Sequence, residues 1–190
     1  MLDAAGNTTY ADDYDAAGNL LRIRDPKGNP ITIGYDELNR ENSRTDANGN
    51  VWLTKYDLAG NVIERSAPGN PRLVTTYGYD LGNQLISILL PGTATAITFD
   101  YDNNGNRTQM VDATGTTLYE YDAVNRLTKV TDPQSKVVGF RYDAASNRAS
   151  IIYPNGQSVT YGYDGAERMT SVAPWVGGTT TYTLDKSGRV

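Results

Sequence analysis

The chain has 190 residues and a net charge of −5, and it contains neither cysteine nor histidine. Without cysteine there is no disulfide framework and no thiolate chemistry, and without histidine the usual general base and zinc ligand are missing. No apolar run is long enough to span a membrane and no basic patch stands out, so neither a membrane span nor a nucleic-acid partner is predicted.

A Tyr-Asp pair recurs along the chain at intervals of 20 to 23 residues. In most copies it is followed by two variable residues, a small or amide residue, and then Asn or Arg. Each unit is too short to bury its own apolar face, so its stability must come from neighbours stacked in a row. The copies are Tyr14-Asp15, Tyr35-Asp36, Tyr56-Asp57, Tyr79-Asp80, Tyr101-Asp102, Tyr121-Asp122, Tyr142-Asp143 and Tyr163-Asp164, with a degenerate copy at Leu184-Asp185.

Residues 1–13 are interpreted as a partial or irregular first unit, and residues 14–190 as eight tandem repeats that end in the degenerate copy. Within the first segment, residues 2–7 mimic the repeat turn, but the next Tyr-Asp pair follows too soon for a full unit. The same N-terminal stretch lacks the basic and apolar regions of a signal peptide. We therefore expect a piece of a longer repeat protein.

The segment before each Tyr-Asp pair alternates between apolar and polar residues, as in Ile31, Ile33 and Tyr35 against Thr32 and Gly34. A period of two with β-branched and aromatic residues predicts a strand. The segment after each pair alternates less well, because its first apolar residue is out of phase with the rest. These residues predict a bulge, or packing at the turn exit: Leu20, Val62, Leu85, Leu127 and Met169.

A second turn separates the two strands of consecutive units, as in Asp25-Pro26-Lys27-Gly28-Asn29. Proline presets φ there, Gly and Asn accept positive φ, and Asp can cap its own turn. Strands joined by tight turns are antiparallel. The predicted fold is therefore all-β: a continuous, curved antiparallel sheet of tandem hairpin repeats, each of about 21 residues, without helices.

Tyrosine is placed regularly in these repeats. Of the 14 Tyr residues, 12 lie at the Tyr-Asp position or two residues before it. Adjacent units then bring rings together in ladders across the strands, and such aromatic cross-strand pairs contribute roughly 0.2–1 kcal/mol each. A sheet with little second layer can be stabilised in this way.

The repeats resemble the YD repeat of the Rhs family. The segments that carry the resemblance are Tyr119–Leu127 and Phe140–Arg148, read against the family pattern Tyr-x-Tyr-Asp-x-x-Gly-Arg-Leu. The likeness covers the chain from about Tyr14 to Val190. Its departures are local, because Arg fills the Gly-Arg slot only at Arg40, Arg126, Arg168 and Arg189, and Gly-Asn is used at Gly18-Asn19, Gly60-Asn61 and Gly105-Asn106.

The resemblance implies a β-sheet that spirals into a hollow shell, as in bacterial Rhs proteins, insecticidal toxin complexes and teneurins. In the bacterial proteins the shell encloses a variable C-terminal toxin. The family also implies a secreted or cell-surface location, and its repeats have been linked to carbohydrate binding and adhesion. Nothing in the chain resembles the family's self-cleaving, Asp-Pro-rich capping segment, so that activity is not expected here.

The recurrence of the Tyr-Asp pair favours a structural role over a single active site. We expect the Asp to accept backbone N–H bonds within its turn, while the Tyr packs with its hydroxyl at the rim. The alternative is that aromatic rows contact a sugar. The candidate glycan contacts are Tyr77, Tyr79, Tyr119, Tyr121, Tyr161 and Tyr163.

The segment Asp100–Gly105 matches the start of a calcium-binding loop. However, the twelfth position is Val111 rather than Glu, and no flanking helices are predicted. An ordinary Asn-Gly turn is therefore favoured, and no catalytic, cofactor or metal site is expected. The chain is interpreted as a protein without enzymatic activity.

The leading hypothesis is a section of shell wall that contains a cargo polypeptide. Its expected partners are the cargo or further repeats of the parent protein, and unpaired sheet edges predict self-association. The second hypothesis is a carbohydrate-binding or adhesive module that uses the tyrosine rows. A third is an isolated repeat with no function of its own.

Overall fold

The computed structural model describes residues 10–185 and 187–189, with side chains from Asp13 onward. The turn-like segment at residues 2–7 lies outside the described residues. The chain divides into two compact units, residues 1–97 and 98–190. Each is an antiparallel meander, and no helix occurs in the described part of either. The predicted fold class, all-β and built from tandem antiparallel hairpins, is confirmed.

The first unit contains eight strands, each hydrogen-bonded to the strand that precedes or follows it in sequence. The turns at one end of the strands carry the Tyr-Asp pairs, and the turns at the other end form the second set. The strands are β1 Tyr10–Tyr14, β2 Leu20–Arg24, β3 Pro30–Tyr35, β4 Glu41–Thr45, β5 Val51–Tyr56, β6 Val62–Ala67, β7 Leu73–Tyr79 and β8 Leu85–Leu89.

The second unit repeats this arrangement with nine strands, of which the last is only two residues long. The strands are β9 Ile97–Tyr101, β10 Arg107–Asp112, β11 Gly115–Tyr121, β12 Leu127–Thr131, β13 Val137–Tyr142, β14 Arg148–Ile152, β15 Ser158–Tyr163, β16 Met169–Ala173 and β17 Thr180–Thr181.

The apolar residues of each strand meet their counterparts on one face. In the second unit, Phe140 pairs with Ile151, which in turn pairs with Val159. Only Ile33, Phe99 and Val159 reach core-like burial among the described hydrophobic residues, at 7–9% exposure, and no large side chain there is fully buried. The sheet is therefore thin, and apolar burial alone supplies less stability than in a two-layer domain.

A bulge lies at the start of the second strand of each repeat. Gly34 pairs with Ser43 and Tyr35 with Glu41, which leaves Asn42 without an opposite residue. The residue just before the extra one, such as Leu20 before Leu21, is the apolar residue that is out of phase with the alternation in the sequence. The predicted bulge is therefore confirmed, and the extra residues are Leu21, Asn42, Ile63, Ile86, Thr108, Thr128, Ala149 and Thr170.

Each Tyr-Asp turn is a five-residue loop that begins at the Asp, here called position 1, and ends at position 5. In the first loop the N–H of Asp15 donates to the carbonyl of Asn19, and that of Gly18 donates to the carbonyl of Asp15. Position 4 has positive φ, as expected for a type I turn followed by a G1 bulge. Non-glycine residues also adopt it there: Asn39, Asn83, Asn125, Ser146 and Glu167.

Candidate functional site

The aspartate at position 1 organises each Tyr-Asp turn. Oδ1 of Asp15 accepts the N–H groups of Ala17 and Asn19 at 2.9 and 2.8 Å, and its Oδ2 accepts the amide of Asn19 at 2.8 Å. This is the Asx-type cap expected from the sequence. The position-5 N–H reaches the same carboxylate in all the turns, at Asp15, Asp36, Asp57, Asp80, Asp102, Asp122, Asp143, Asp164 and Asp185.

These hydrogen bonds favour the ionised carboxylate. The side-chain amide of Asn19 is the largest cause that holds the pKa of Asp15 below its usual value. At Asp36 the backbone N–H of Arg40 is the largest cause of the lowered pKa. Such carboxylates are already fully engaged by the turn, so they are poorly placed to serve as acids or bases in a reaction.

The tyrosine of the pair connects consecutive repeats. Between β4 and β5 the ladder runs only from Ser43–Leu53 to Thr45–Val51, so the carbonyl of Glu41 lies beyond its end. The hydroxyl of Tyr56 donates to that carbonyl at 2.7 Å. The hydroxyl predicted to lie at the rim therefore bridges to the preceding repeat. Five other pairs match it: Tyr35 to Leu20, Tyr79 to Val62, Tyr121 to Arg107, Tyr142 to Leu127 and Tyr163 to Arg148.

Arginine at position 5 is held in its own turn by one contact and reaches the next repeat through two others. Nε of Arg40 donates to Oδ2 of Asp36 at 2.7 Å, and Nη1 donates to the backbone carbonyl of Asp57 at 3.2 Å. Its guanidinium also lies 4.4 Å from the ring centre of Tyr56. Arg126 repeats all three contacts four repeats later. The Gly-Arg slot is therefore an inter-repeat clamp.

Asparagine at position 5 makes a different connection. The amide of Asn19 donates to Oδ1 of Asn39, which occupies position 4 of the next turn, at 2.7 Å. The same amide pair forms between Asn61 and Asn83 and between Asn106 and Asn125. Arginine at position 5 instead faces a small position-4 residue in the next turn: Gly60 after Arg40, Ser146 after Arg126 and Gly188 after Arg168.

Two side-chain pairings therefore join neighbouring turns, an amide pair and an arginine over a small residue. Sequence reasoning treated the Gly-Asn copies as local departures from Gly-Arg and missed this relation. The available signal was the alternation at positions 4 and 5, where Gly18-Asn19 is followed by Asn39-Arg40 and then by Gly60-Asn61. Each of the three Gly-Asn copies is followed by a copy with Asn at position 4.

The six tyrosines predicted as candidate glycan contacts differ in whether their side chains are already engaged by other residues. The hydroxyls of Tyr79, Tyr121 and Tyr163 are committed to inter-repeat hydrogen bonds. The rings of Tyr119 and Tyr161 lie under Arg107 and Arg148, at 4.6 and 5.2 Å. Tyr77, in contrast, lines an open groove together with Trp52. Among the six, it is the tyrosine best placed to contact a ligand.

The acidic side chains of the calcium-like segment, residues 100–105, make contacts within the sheet and its turn. Oδ2 of Asp100 accepts the side-chain amide of Gln109 on the neighbouring strand at 2.8 Å, whereas Asp102 holds its own turn. Within the described residues, no group of three acidic, histidine or cysteine side chains is arranged to hold a metal ion. The described part of the chain also contains no helix long and apolar enough to cross a membrane.

Comparison with known proteins identifies relatives that agree with the resemblance to Rhs proteins and teneurins. Teneurin-4 of Mus musculus is 29% identical over 136 residues, which cover 72% of this chain and 4% of that protein. Human teneurin-4 is 33% identical over the same length and shares. RhsB of Dickeya dadantii, named as a probable deoxyribonuclease, is 29% identical over 139 residues, 65% of this chain and 9% of its own length. The chain thus spans less than a tenth of each relative.

Solved structures with the same fold come from toxin complexes. TcdB2-TccC3 without its hypervariable C-terminal region matches 94% of the chain with a TM-score of 0.74 and 14% identity, and the match covers 12% of that structure's chain. The Photorhabdus luminescens Tc holotoxin pore matches 86% of the chain and 9% of its own, with a TM-score of 0.54 and 21% identity. These likenesses establish the fold.

The sequence profile of the RHS Repeat family matches residues 14–51, 81–117, 121–158 and 147–179, which together make up more than half of the chain. These segments contain most of the Asx-capped turns and bridging tyrosines described above. The resemblance drawn from the Tyr-Asp pairs is therefore confirmed, and the chain belongs to the RHS Repeat family.

Proposed function

We propose that this chain is a section of a repeat-built wall that encloses or shields a polypeptide, and that it carries no catalysis of its own. The observation that carries the proposal is the fold match over 94% of the chain to TcdB2-TccC3 without its hypervariable C-terminal region. The membership of the RHS Repeat family supports the same role. A location outside the cell is proposed on the same grounds.

The chemistry of the repeats supports containment over catalysis. The turn aspartates are committed to backbone N–H groups, and the bridging tyrosines to backbone carbonyls. The sequence also supplies no histidine or cysteine to act as base or nucleophile. The side chains that recur most regularly are therefore those that hold repeats together, as a wall requires.

Sequencing the native gene on both sides of this chain is the first test. Further repeats together with an additional polypeptide region are expected. In that longer protein, limited proteolysis should leave the additional region intact while it is enclosed and degrade it when it is expressed alone. A gene without any candidate cargo, or a cargo region digested equally fast in both forms, would refute containment.

Carbohydrate binding is a second candidate, favoured by the groove that contains Trp52 and Tyr77. Aromatic faces stack on sugars, and Trp52 is 40% exposed. A glycan array should then give signals that Trp52→Ala removes and Tyr119→Ala leaves, since Tyr119 lies under an arginine elsewhere. An array without reproducible signals rejects this candidate.

Self-association through sheet edges is the remaining proposal, since unpaired strand edges are templates for a second copy. Size-exclusion chromatography with light scattering tests it. A mass that rises with protein concentration supports self-association, and a constant monomer mass rejects it.

A further inference from the structure

An open groove of about 380 Å³ lies on one face of the first unit, across strands β5, β6 and β7. Its walls are apolar: Trp52 and Tyr77 supply aromatic rings, and Leu73, which is 51% exposed, supplies an aliphatic surface. Its polar side chains include Thr54 and Arg65, which lie opposite each other on paired strands. The groove therefore combines exposed aromatic area with a cation.

Arg65 is an exception in its row. The ninth residue after the repeat tyrosine is aliphatic or Met in most copies, and in the first unit only Arg44 and Arg65 depart from this. Arg44 is neutralised by Glu41, with two hydrogen bonds of 2.9 Å. The side chain of Arg65 makes no hydrogen bond or ion pair with the described residues. The other members of the row are Ile23, Ile88, Met110, Val130, Ile151 and Val172.

The groove offers mainly hydrogen-bond donors. Arg65 and the indole N–H of Trp52 only donate, and the hydroxyls of Thr54, Thr75 and Tyr77 can donate or accept. No Asp, Glu, Asn or Gln side chain lines the groove. A sugar, neutral or acidic, brings several hydroxyl donors that need such acceptors. A carboxylate brings acceptors only, and it forms a bidentate pair with a guanidinium.

We propose that the groove binds a polypeptide segment in which an acidic residue is flanked by an apolar one. The carboxylate pairs with Arg65, and the apolar side chain lies between Trp52 and Tyr77. Charge complementarity and the absence of carboxylate and side-chain amide acceptors favour this ligand over a sugar. The assignment rests on the proposed function, because the expected partner of a containing wall is a polypeptide.

The test is an NMR titration of the ¹⁵N-labelled chain with the capped tripeptide acetyl-Leu-Asp-Leu-amide. Shifts of the Trp52 indole N–H are expected. The corresponding Asn peptide should bind roughly tenfold more weakly, because a charge-assisted hydrogen bond is about twice as strong as a neutral one. Arg65→Met should abolish the shifts, and it should preserve the fold because equivalent positions already carry aliphatic side chains.

Arg141→Met is the matched control, since Arg141 is also exposed and is not one of the residues that line the groove. It should leave peptide binding unchanged. Equal affinity for the Asn peptide, binding retained by Arg65→Met, or no shift at all would overturn the proposal. Tighter binding of glucuronic acid than of the Asp peptide would reassign the groove to acidic sugars.

The outcome is separable from that of the containment experiment. Loss of peptide binding with a protease-protected cargo would reject the groove alone. Specific peptide binding without a protected cargo would leave a peptide-binding repeat sheet that encloses nothing.

Discussion

Replacing Arg40 by Asn tests the clamp between neighbouring turns. The change removes the hydrogen bond from Nη1 to the carbonyl of Asp57 and the contact with the ring of Tyr56. The side chain of Arg40 is only 26% exposed. A hydrogen bond from a charged group contributes roughly 1.5–3 kcal/mol and the cation–π contact about 0.5–1 kcal/mol. An Asn can retain the bond to Asp36, as Asn19 does with Asp15. We expect a net loss of about 2 kcal/mol.

The second variant, Gly60→Asn, changes the small residue that faces Arg40. A Cβ at Gly60 lies 4.0 Å from Nη1 of Arg40, so an Asn side chain there crowds the guanidinium. With Arg40→Asn already present, the same Asn finds an amide partner, as Asn39 does with Asn19. The double variant should therefore be more stable than the sum of the single changes predicts, by about 1 kcal/mol.

Urea denaturation followed by circular dichroism measures this coupling. In a thermal melt of a chain of this length, the single change at Arg40 should lower the Tm by about 4–8 °C. Gly60→Asn combined with Arg126→Asn is the control, because these turns do not follow each other in sequence, and its effects should add. Additivity within about 0.5 kcal/mol for Arg40 and Gly60 as well would refute the pairing of turns by side-chain class.

Three further outcomes follow from the same contacts. Tyr142→Phe removes the 2.9 Å hydrogen bond to Leu127 and should cost about 1 kcal/mol in denaturation, whereas Tyr161→Phe should be neutral. Gly115→Ala should destabilise by about 1–3 kcal/mol, because φ is +124° and the new Cβ would lie 2.8 Å from Pro133; an unchanged Tm would show that the turn relaxes freely. Asp15 and Asp36 have lowered pKa values in the folded chain, so their stabilisation is complete above their unfolded pKa of about 3.9 and declines as pH falls through the lower folded pKa. Thermal melts between pH 5 and pH 2 should show this decline, and a flat profile would contradict it.

The sequence was sufficient for the local structure of the repeats. Alternation in segments such as Ile31–Tyr35 indicates strands because side chains of a strand point to opposite faces. The φ preferences of Gly and Asn indicate the turns, and the out-of-phase Leu20 indicates the bulge. Each of these signals depends on a few adjacent residues, so it is visible without knowing what lies on the neighbouring strand.

The contacts between repeats differ from the predicted ladders of paired rings: the ring pair found among the described residues joins Tyr153 to Trp175, and repeat tyrosines such as Tyr56 and Tyr142 lie against arginines instead. The acceptor of the Tyr56 hydroxyl is a carbonyl 15 residues away, and it is available only because the ladder stops short of Glu41. The sequence alone did not single out Arg65, which the structure places in one groove with Trp52 and Tyr77. Both features depend on how strands align across repeats, which is set by the bulges and not by composition.

The turns hold the repeats together and the sheet face contributes little burial, which explains why the residues on the face can vary. The recurring hydrogen bonds of Asp, Tyr and the position-5 residue lie at the turns, and few side chains on the face are deeply buried. A cation such as Arg65 therefore replaces an aliphatic residue such as Ile88 without loss of a dense core. Burying an unpaired charge in a two-layer domain would cost several kcal/mol. A thin repeat sheet avoids that penalty, so the residues on its face can vary while the turn contacts hold neighbouring repeats together.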